Sequence, residues 1–341
     1  MNLYTYCNNN PIIYVDYDGY AGKLIFFTHG LNSNAKEFEK TISNLRAKNP
    51  RRGYEYISIG IATAGRGNNE GAYYTGSDKE GIYYNDAYLN ELEYNYGKEA
   101  LKNPDAYLTD MVNILTGYDI NLLVRTEFSK GNLSFKDQRN EFKDIVKQFG
   151  AHNADVVFVG HSMGGLASIN YAIDYAKDNP KKNITVITVS TPYHPNAYAS
   201  IASDHPKIAG FLQDVGPAHA DLGGDTSAMS DLRKKWNNHT GNNIEIYAIS
   251  VAKAGLAKTD RRDEIGDGIV DVQSQQAKDK DVNGKSGFGY NDVIVQDLIT
   301  GSYKASWGIE AADTDHPYHH SNTPDLAEVA NQIHNIIRGL D

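Results

Sequence analysis

The chain has 341 residues, 40% of them hydrophobic and 22% charged, enough to bury a substantial core in one large domain or two ordinary ones. Its 33 basic and 43 acidic side chains leave a formal charge of −10, which argues against wrapping nucleic acid or adhering to a bare anionic membrane. A single cysteine, Cys7, excludes an internal disulfide framework and a cysteine-based zinc site. No apolar run reaches the ~18 residues of a membrane span, and Met1–Tyr6 lacks the basic and apolar regions of a signal peptide.

In chain order, residues 1–20 stand apart, with five tyrosines and the turn run Asn8-Asn9-Asn10-Pro11. From residue 21 onward, short β-branched runs alternate with helical patterns. Strands are expected over Lys23–Thr28, Tyr56–Ala62, Val156–Val159, Asn183–Ser190 and Asn243–Val251. Helices are expected over Ala35–Lys48, Phe135–Phe149, Gly164–Lys177 and Met229–Asn238. This alternation predicts an α/β domain with a mostly parallel sheet covered on both faces. Residues 63–132 interrupt it. They hold nine tyrosines, Gly/Asn-rich joints, and helical patterns only at Asp86–Tyr94 and Asp105–Leu115. The span reads as an insertion, either a surface elaboration or a cap or lid over a site.

Gly160-His161-Ser162-Met163-Gly164 matches G-x-S-x-G, preceded by the strand Asp155–Val159 and followed by a helix. A nucleophile on so sharp a strand-to-helix turn needs glycine two residues to either side, because side chains there would strike the strand and helix. The helix start also turns free N–H groups toward developing negative charge. Ser162 is therefore the candidate nucleophile, set against a plain serine at a tight turn.

With this elbow, the chain from about Gly22 onward resembles the lipases and esterases of the α/β-hydrolase family. Thr28-His29-Gly30-Leu31, ending the first core strand, resembles the family's His-Gly oxyanion motif and implies backbone donors at Leu31 and Met163. The family order of serine, acid, histidine implies an acid after the late strand. Gly266-Asp267-Gly268-Ile269-Val270-Asp271 resembles the element that carries it, which implies Asp267, with Asp271 second. The neighbouring Asp263 and Glu264 read as solvated surface. The final helix is announced by Thr323, Pro324 and the stripe Leu326, Val329, Ala330, Ile333, Ile337. The loop entering it, His316-Pro317-Tyr318-His319-His320-Ser321, is where the family places its base, which implies His320, with His319 next. His334, on the helix, reads as a partly exposed surface residue, and Thr191-Pro192-Tyr193 as a structural turn.

Two clusters have a metal reading beside a plainer one. Asp313, Asp315, His316, His319 and His320 would suit zinc, but a catalytic histidine in an acidic loop accounts for them. Asp279-Lys280-Asp281-Val282-Asn283-Gly284 opens like a calcium loop, yet its twelfth position is Tyr290 where a bidentate glutamate belongs. No metal and no cofactor is expected.

Asn2-Leu3-Tyr4-Thr5-Tyr6, Asn9-Asn10-Pro11 and Val15-Asp16-Tyr17-Asp18-Gly19 together resemble the end of the Rhs/YD-repeat core, with Tyr17 where that family usually has proline. The resemblance divides the chain into a remnant over 1–20 and a hydrolase domain over 21–341. It implies an effector or toxin tip, secreted or delivered within a larger protein, with a cognate immunity protein as partner. The implied activity is cleavage of carboxylic esters by a lipase or phospholipase. A peptidase, amidase or thioesterase would use the same triad, and a non-catalytic binding module could keep the same fold.

Overall fold

The computed structural model describes residues 21–31, 33–48, 55–64, 80–193, 221–222, 227–239, 244–249, 293–294 and 320–340. Among them, eight strands form one sheet: β1 (Leu24–Thr28), β2 (Tyr56–Thr63), β3 (Gly81–Tyr84), β4 (Asn121–Glu127), β5 (Val156–His161), β6 (Ile184–Val189), β7 (Ile244–Ile249) and β8 (Val293–Ile294). Their order is β3-β2-β4-β1-β5-β6-β7-β8. Every pairing is parallel except that of β3, which runs antiparallel to β2 at one edge.

The strands β1, β5 and β6 are buried throughout and largely apolar without alternation because both faces are covered. Leu24 and Phe26 of β1 join a core with Phe142, Phe149 and Phe158 on one face. Ile25 and Phe27 join Phe38, Ile42, Val329 and Ile333 on the other. The second face is closed by α1 (Glu39–Arg46) and α7 (Ala327–Arg338). The first is closed by α2 (Asp86–Tyr96), α3 (Leu108–Thr116), α4 (Phe135–Lys147), α5 (Met163–Asp178) and α6 (Ser227–Asn238). Of these, α5 is buried along most of its length, and its composition is accordingly apolar nearly all round. The α/β-hydrolase sheet expected from the sequence is present.

The span 63–132 departs from its expected role as an insertion. Its last part supplies β4, which lies inside the sheet between β2 and β1, and its middle supplies the edge strand β3. Between those strands, Tyr88 and Leu92 of α2 and Leu108, Met111, Val112 and Leu115 of α3 are buried in the sheet's own core. These helices cover the sheet, as α4 and α5 do. The regions 1–20, 250–292 and 295–319 lie outside the described residues, and with them the boundary expected at residue 20.

The chain order explains where a site must lie. From β1 the chain steps outward to β2, returns to β4, and then crosses to β5 on the opposite side of β1. Connections leaving β1 and β5 thus diverge to opposite sides, which opens a crevice at the carboxyl ends of these two strands.

Candidate active site

Thr28 of β1 is in register with Gly160 of β5, so the residues following each strand emerge side by side. They are His29-Gly30-Leu31 and His161-Ser162-Met163. An ideal Cβ on Gly30 would lie 3.0 Å from Ser162 Cβ and 3.3 Å from His161 Nδ1. The expected oxyanion segment and the expected nucleophile therefore touch.

Ser162 has φ 53° and ψ −128°, a left-handed conformation that non-glycine residues rarely adopt. Strain of this kind costs on the order of 1–3 kcal/mol and persists only where the surroundings enforce it. Ser162 N–H donates to Val189 O of β6 (2.9 Å), and Gly165 N–H donates to Ser162 O (3.0 Å). The residue is 2% exposed and directly precedes α5, without capping it through its side chain. Met163, the first residue of that helix, has an N–H with no intrahelical acceptor.

The flanking glycines answer to distance. A Cβ on Gly160 would stand 2.4 Å from Gly164 O, and one on Gly164 would stand 2.4 Å from His29 O and 2.5 Å from Thr28 O. These are backbone atoms of α5 and of the end of β1, and cannot swing aside. Gly164→Ala should therefore push α5 away from β1, destabilising the fold by about 1–3 kcal/mol. A melting temperature within a degree of wild type would contradict this packing.

Gly30 is fixed on both sides. Its carbonyl accepts from His29 Nδ1–H (2.9 Å) and from Ser33 N–H (3.4 Å). The His29 tautomer follows from its other nitrogen: Phe128 N–H donates to Nε2 (3.3 Å), which leaves the proton on Nδ1. In a planar trans peptide the next N–H points opposite the carbonyl oxygen, so holding Gly30 O also aims Leu31 N–H. The N–H of Gly30 donates to Glu37 Oε2 (2.6 Å).

Glu37 belongs to the 3₁₀ turn Ala35–Phe38, and its side chain is 5% exposed. Its other oxygen, Oε1, lies 2.7 Å from His161 Nδ1. Burial alone would push this carboxyl up. Its pairing and hydrogen bond with His161 and the Gly30 N–H outweigh burial and hold it below the usual glutamate range. Two further carboxylates face His29, and burial raises both: Glu127, which accepts from Ala35 N–H (2.5 Å), and Glu141, which accepts from Ser129.

His320 opens the 3₁₀ turn His320–Asp325 and is 6% exposed. Its ring centroid is 4.6 Å from that of His161, with the planes tilted by 39°. The turn is tied to α1 by a hydrogen bond from Thr41 Oγ1 to Pro324 O and by the Lys40–Asp325 ion pair (2.7 Å), and it is closed by Thr323 Oγ1 donating to His320 O (2.9 Å). His320 thus lies beside the residue that precedes Ser162. His334 does not: it contacts Tyr56 OH (2.8 Å) at the start of β2, the end of that strand away from the crevice.

Asp267, Asp271, Asp263, Glu264, His316 and His319 lie outside the described residues, as do Asp313, Asp315 and the run 279–284. Among the described residues no group of three histidine, cysteine or acidic side chains could hold a metal. No helix among them is long and apolar enough to cross a membrane. Sequence reasoning missed Glu37 and His161. The first is one glutamate in an ordinary helical pattern, and the second occupies a variable position of the motif, so neither carries a signal of its own.

A family model described as an alpha/beta hydrolase of unknown function (DUF915) matches residues 103–297, more than half of the chain. The chain belongs to that family. The match includes the elbow and Asp267, while His29, Glu37 and His320 fall outside its limits. No curated protein matches the chain in sequence. Solved structures resemble it distantly. The lin2722 gene product from Listeria innocua is 18% identical, with 74% of this chain and 77% of that one covered, at a TM-score of 0.41. Bacillus licheniformis lipase BlEst2 in mature form is also 18% identical, covering 71% and 70% at a TM-score of 0.34. Legionella pneumophila phospholipase PlaB, in complex with thio-NAD, is 12% identical, covering 66% and 37% at 0.34.

Proposed function

We propose that this α/β-hydrolase family member is a serine hydrolase that cleaves carboxylic esters, with a lipase or phospholipase as its narrower description. The observation that carries the reading is the strained Ser162, held at the β5–α5 elbow against Gly30 of the neighbouring strand end. In this reading Ser162 Oγ attacks the acyl carbonyl, and His320 takes the hydroxyl proton and returns it to the leaving alcohol. The tetrahedral oxyanion is received by the N–H groups of Leu31 and Met163. The locked Gly30 carbonyl and the place of Met163 as first residue of α5, where an N–H has no intrahelical acceptor, support those two donors. Water then repeats the sequence on the acyl-enzyme.

Asp267 is proposed as the acid that orients His320. Asp267→Asn should lower kcat by roughly 10⁴, by favouring the wrong imidazole tautomer, whereas Asp271→Asn should leave kcat nearly unchanged. Reversed effects would transfer the role to Asp271.

The deciding experiment exposes purified protein to a fluorophosphonate and to p-nitrophenyl esters, then to a panel of phospholipids and triacylglycerols. Labelling that disappears in Ser162→Ala supports the reading. An unlabelled, inactive wild type would make the protein a binding module on a hydrolase scaffold. Turnover of peptides or thioesters in preference to oxygen esters would move it to another acyl-transfer class.

Delivery as an Rhs-type effector, with a cognate immunity protein, is proposed from the sequence of residues 1–20 alone. Its test is export of the protein to a bacterial periplasm. Growth arrest that Ser162→Ala abolishes is expected, and unimpaired growth with active enzyme present would refute the effector role.

A further inference from the structure

A single buried carboxylate joins the two backbone segments that the proposed chemistry needs side by side. Glu37 Oε2 accepts the N–H of Gly30 (2.6 Å), the residue before the proposed donor Leu31. Glu37 Oε1 holds His161 Nδ1 (2.7 Å), in the residue before Ser162. The His161 ring in turn packs against that of His320, with centroids 4.6 Å apart. The oxyanion segment and the nucleophile elbow thus meet at one acidic side chain, and the proposed base is joined to it through the His161 ring.

The carboxylate is itself well fixed. Its 3₁₀ turn is capped by Asn34, whose side chain accepts from Lys36 N–H (2.9 Å). The turn is anchored by Phe38, buried against Phe27 with ring centroids 5.2 Å apart, and by Ala35 N–H donating to Glu127. A buried charge costs less to retain when both of its oxygens have hydrogen-bond donors. Here each oxygen has one, and an amide could not replace the carboxylate at both, because only one of its two terminal atoms accepts. Glutamine would satisfy one and set its own N–H₂ against the other.

We propose that Glu37, acting with His161, is a positioning residue that fixes the oxyanion segment against the nucleophile elbow and supports the ring of His320. The inference rests on the serine-hydrolase reading above. It adds a function for a residue outside the triad and outside the oxyanion donors. Positioning of this kind acts on the transition state, since a displacement of about 1 Å at reacting groups can cost on the order of 10²-fold in rate. Substrate binding should change little.

The test is steady-state kinetics on p-nitrophenyl butyrate with wild type, Glu37→Gln, His161→Phe and the double variant. Glu37→Gln should lower kcat by about 10²-fold with KM within about threefold, the pattern of a lost transition-state interaction. His161→Phe keeps a ring against His320 but removes the hydrogen bond, and should lower kcat by about tenfold, again with KM little changed. The double variant should be no worse than Glu37→Gln alone, because residues acting as a unit are not additive. Losses that multiply, losses confined to KM, or single variants within twofold of wild type would each overturn the proposal. If Glu37→Gln does not fold, His161→Phe decides alone on the same split between kcat and KM. A wild type that neither hydrolyses esters nor reacts with a fluorophosphonate would instead overturn the serine-hydrolase reading itself. An active, labelled wild type with unaffected variants overturns only the positioning role.

Discussion

Ser162→Ala should lower kcat for ester hydrolysis by roughly 10⁴ to 10⁶, because the remaining members of a triad act only as a unit with the nucleophile. Stability should move little, since alanine keeps a Cβ at the same φ of 53° and so keeps the same backbone strain. Glycine at this position separates the two effects. Ser162→Gly should be equally inactive but more stable than Ser162→Ala. Relief of a left-handed conformation is worth on the order of 1–3 kcal/mol. The added freedom of the unfolded glycine chain takes back about 0.4–1 kcal/mol. A net gain of about 1 kcal/mol corresponds to a rise of a few degrees in melting temperature. The comparison of the two variants by thermal melting tests whether strain is stored at the elbow. A glycine variant that melts below the alanine variant would show that the backbone there is relaxed. A Ser162→Ala protein keeping a tenth of wild-type turnover would remove Ser162 from the chemistry altogether.

The elbow was legible in the sequence because steric demand wrote it there. A Cβ on Gly160 or on Gly164 would stand 2.4 Å from a backbone oxygen, and β5 is an apolar run leading into them. The strands β1, β6 and β7 were legible for the same reason, since both faces of each are covered. By contrast, β4 was hidden. It carries Asn121, Arg125 and Glu127 within seven residues, and Arg125 remains at 14% side-chain exposure inside the sheet. A pattern that rewards unbroken apolar runs passes over such a strand and reads the whole of 63–132 as an insertion. The sheet order was hidden too, because β4 returns between β1 and β2 through contacts made in three dimensions. Glu37 and His161 were hidden for a related reason. Their meaning lies in a 2.7 Å approach across 124 positions of chain, and neither residue type is unusual where it stands.

His320→Ala should reduce kcat nearly as far as Ser162→Ala, for a reason the packing makes specific. The serine hydroxyl needs a neutral base beside it, and among the described residues two other imidazoles lie near the elbow, His29 and His161. His29 is committed through both ring nitrogens, and His161 through one. The proton of His29 is held on Nδ1 by the Phe128 and Gly30 bonds, and His161 Nδ1 is bound to Glu37. His29 cannot take over without breaking a buried hydrogen bond, which costs about 1–3 kcal/mol in desolvation before any proton moves, whereas His161 keeps its Nε2 without a hydrogen-bond partner among the described residues and is the competitor that His161→Ala tests. His320 also stands on a turn tied to α1 through Thr41 and Lys40, so its removal should leave that turn in place and the melting temperature within a few degrees. His316→Ala and His319→Ala should be much milder. Kinetics on the four alanine variants then sort the possibilities by rank. A dead His319→Ala with an active His320→Ala would shift the base by one residue in the C-terminal loop. A dead His161→Ala with an active His320→Ala would make the Glu37–His161 pair the catalytic couple, and the 4.6 Å ring contact would then serve to shield it.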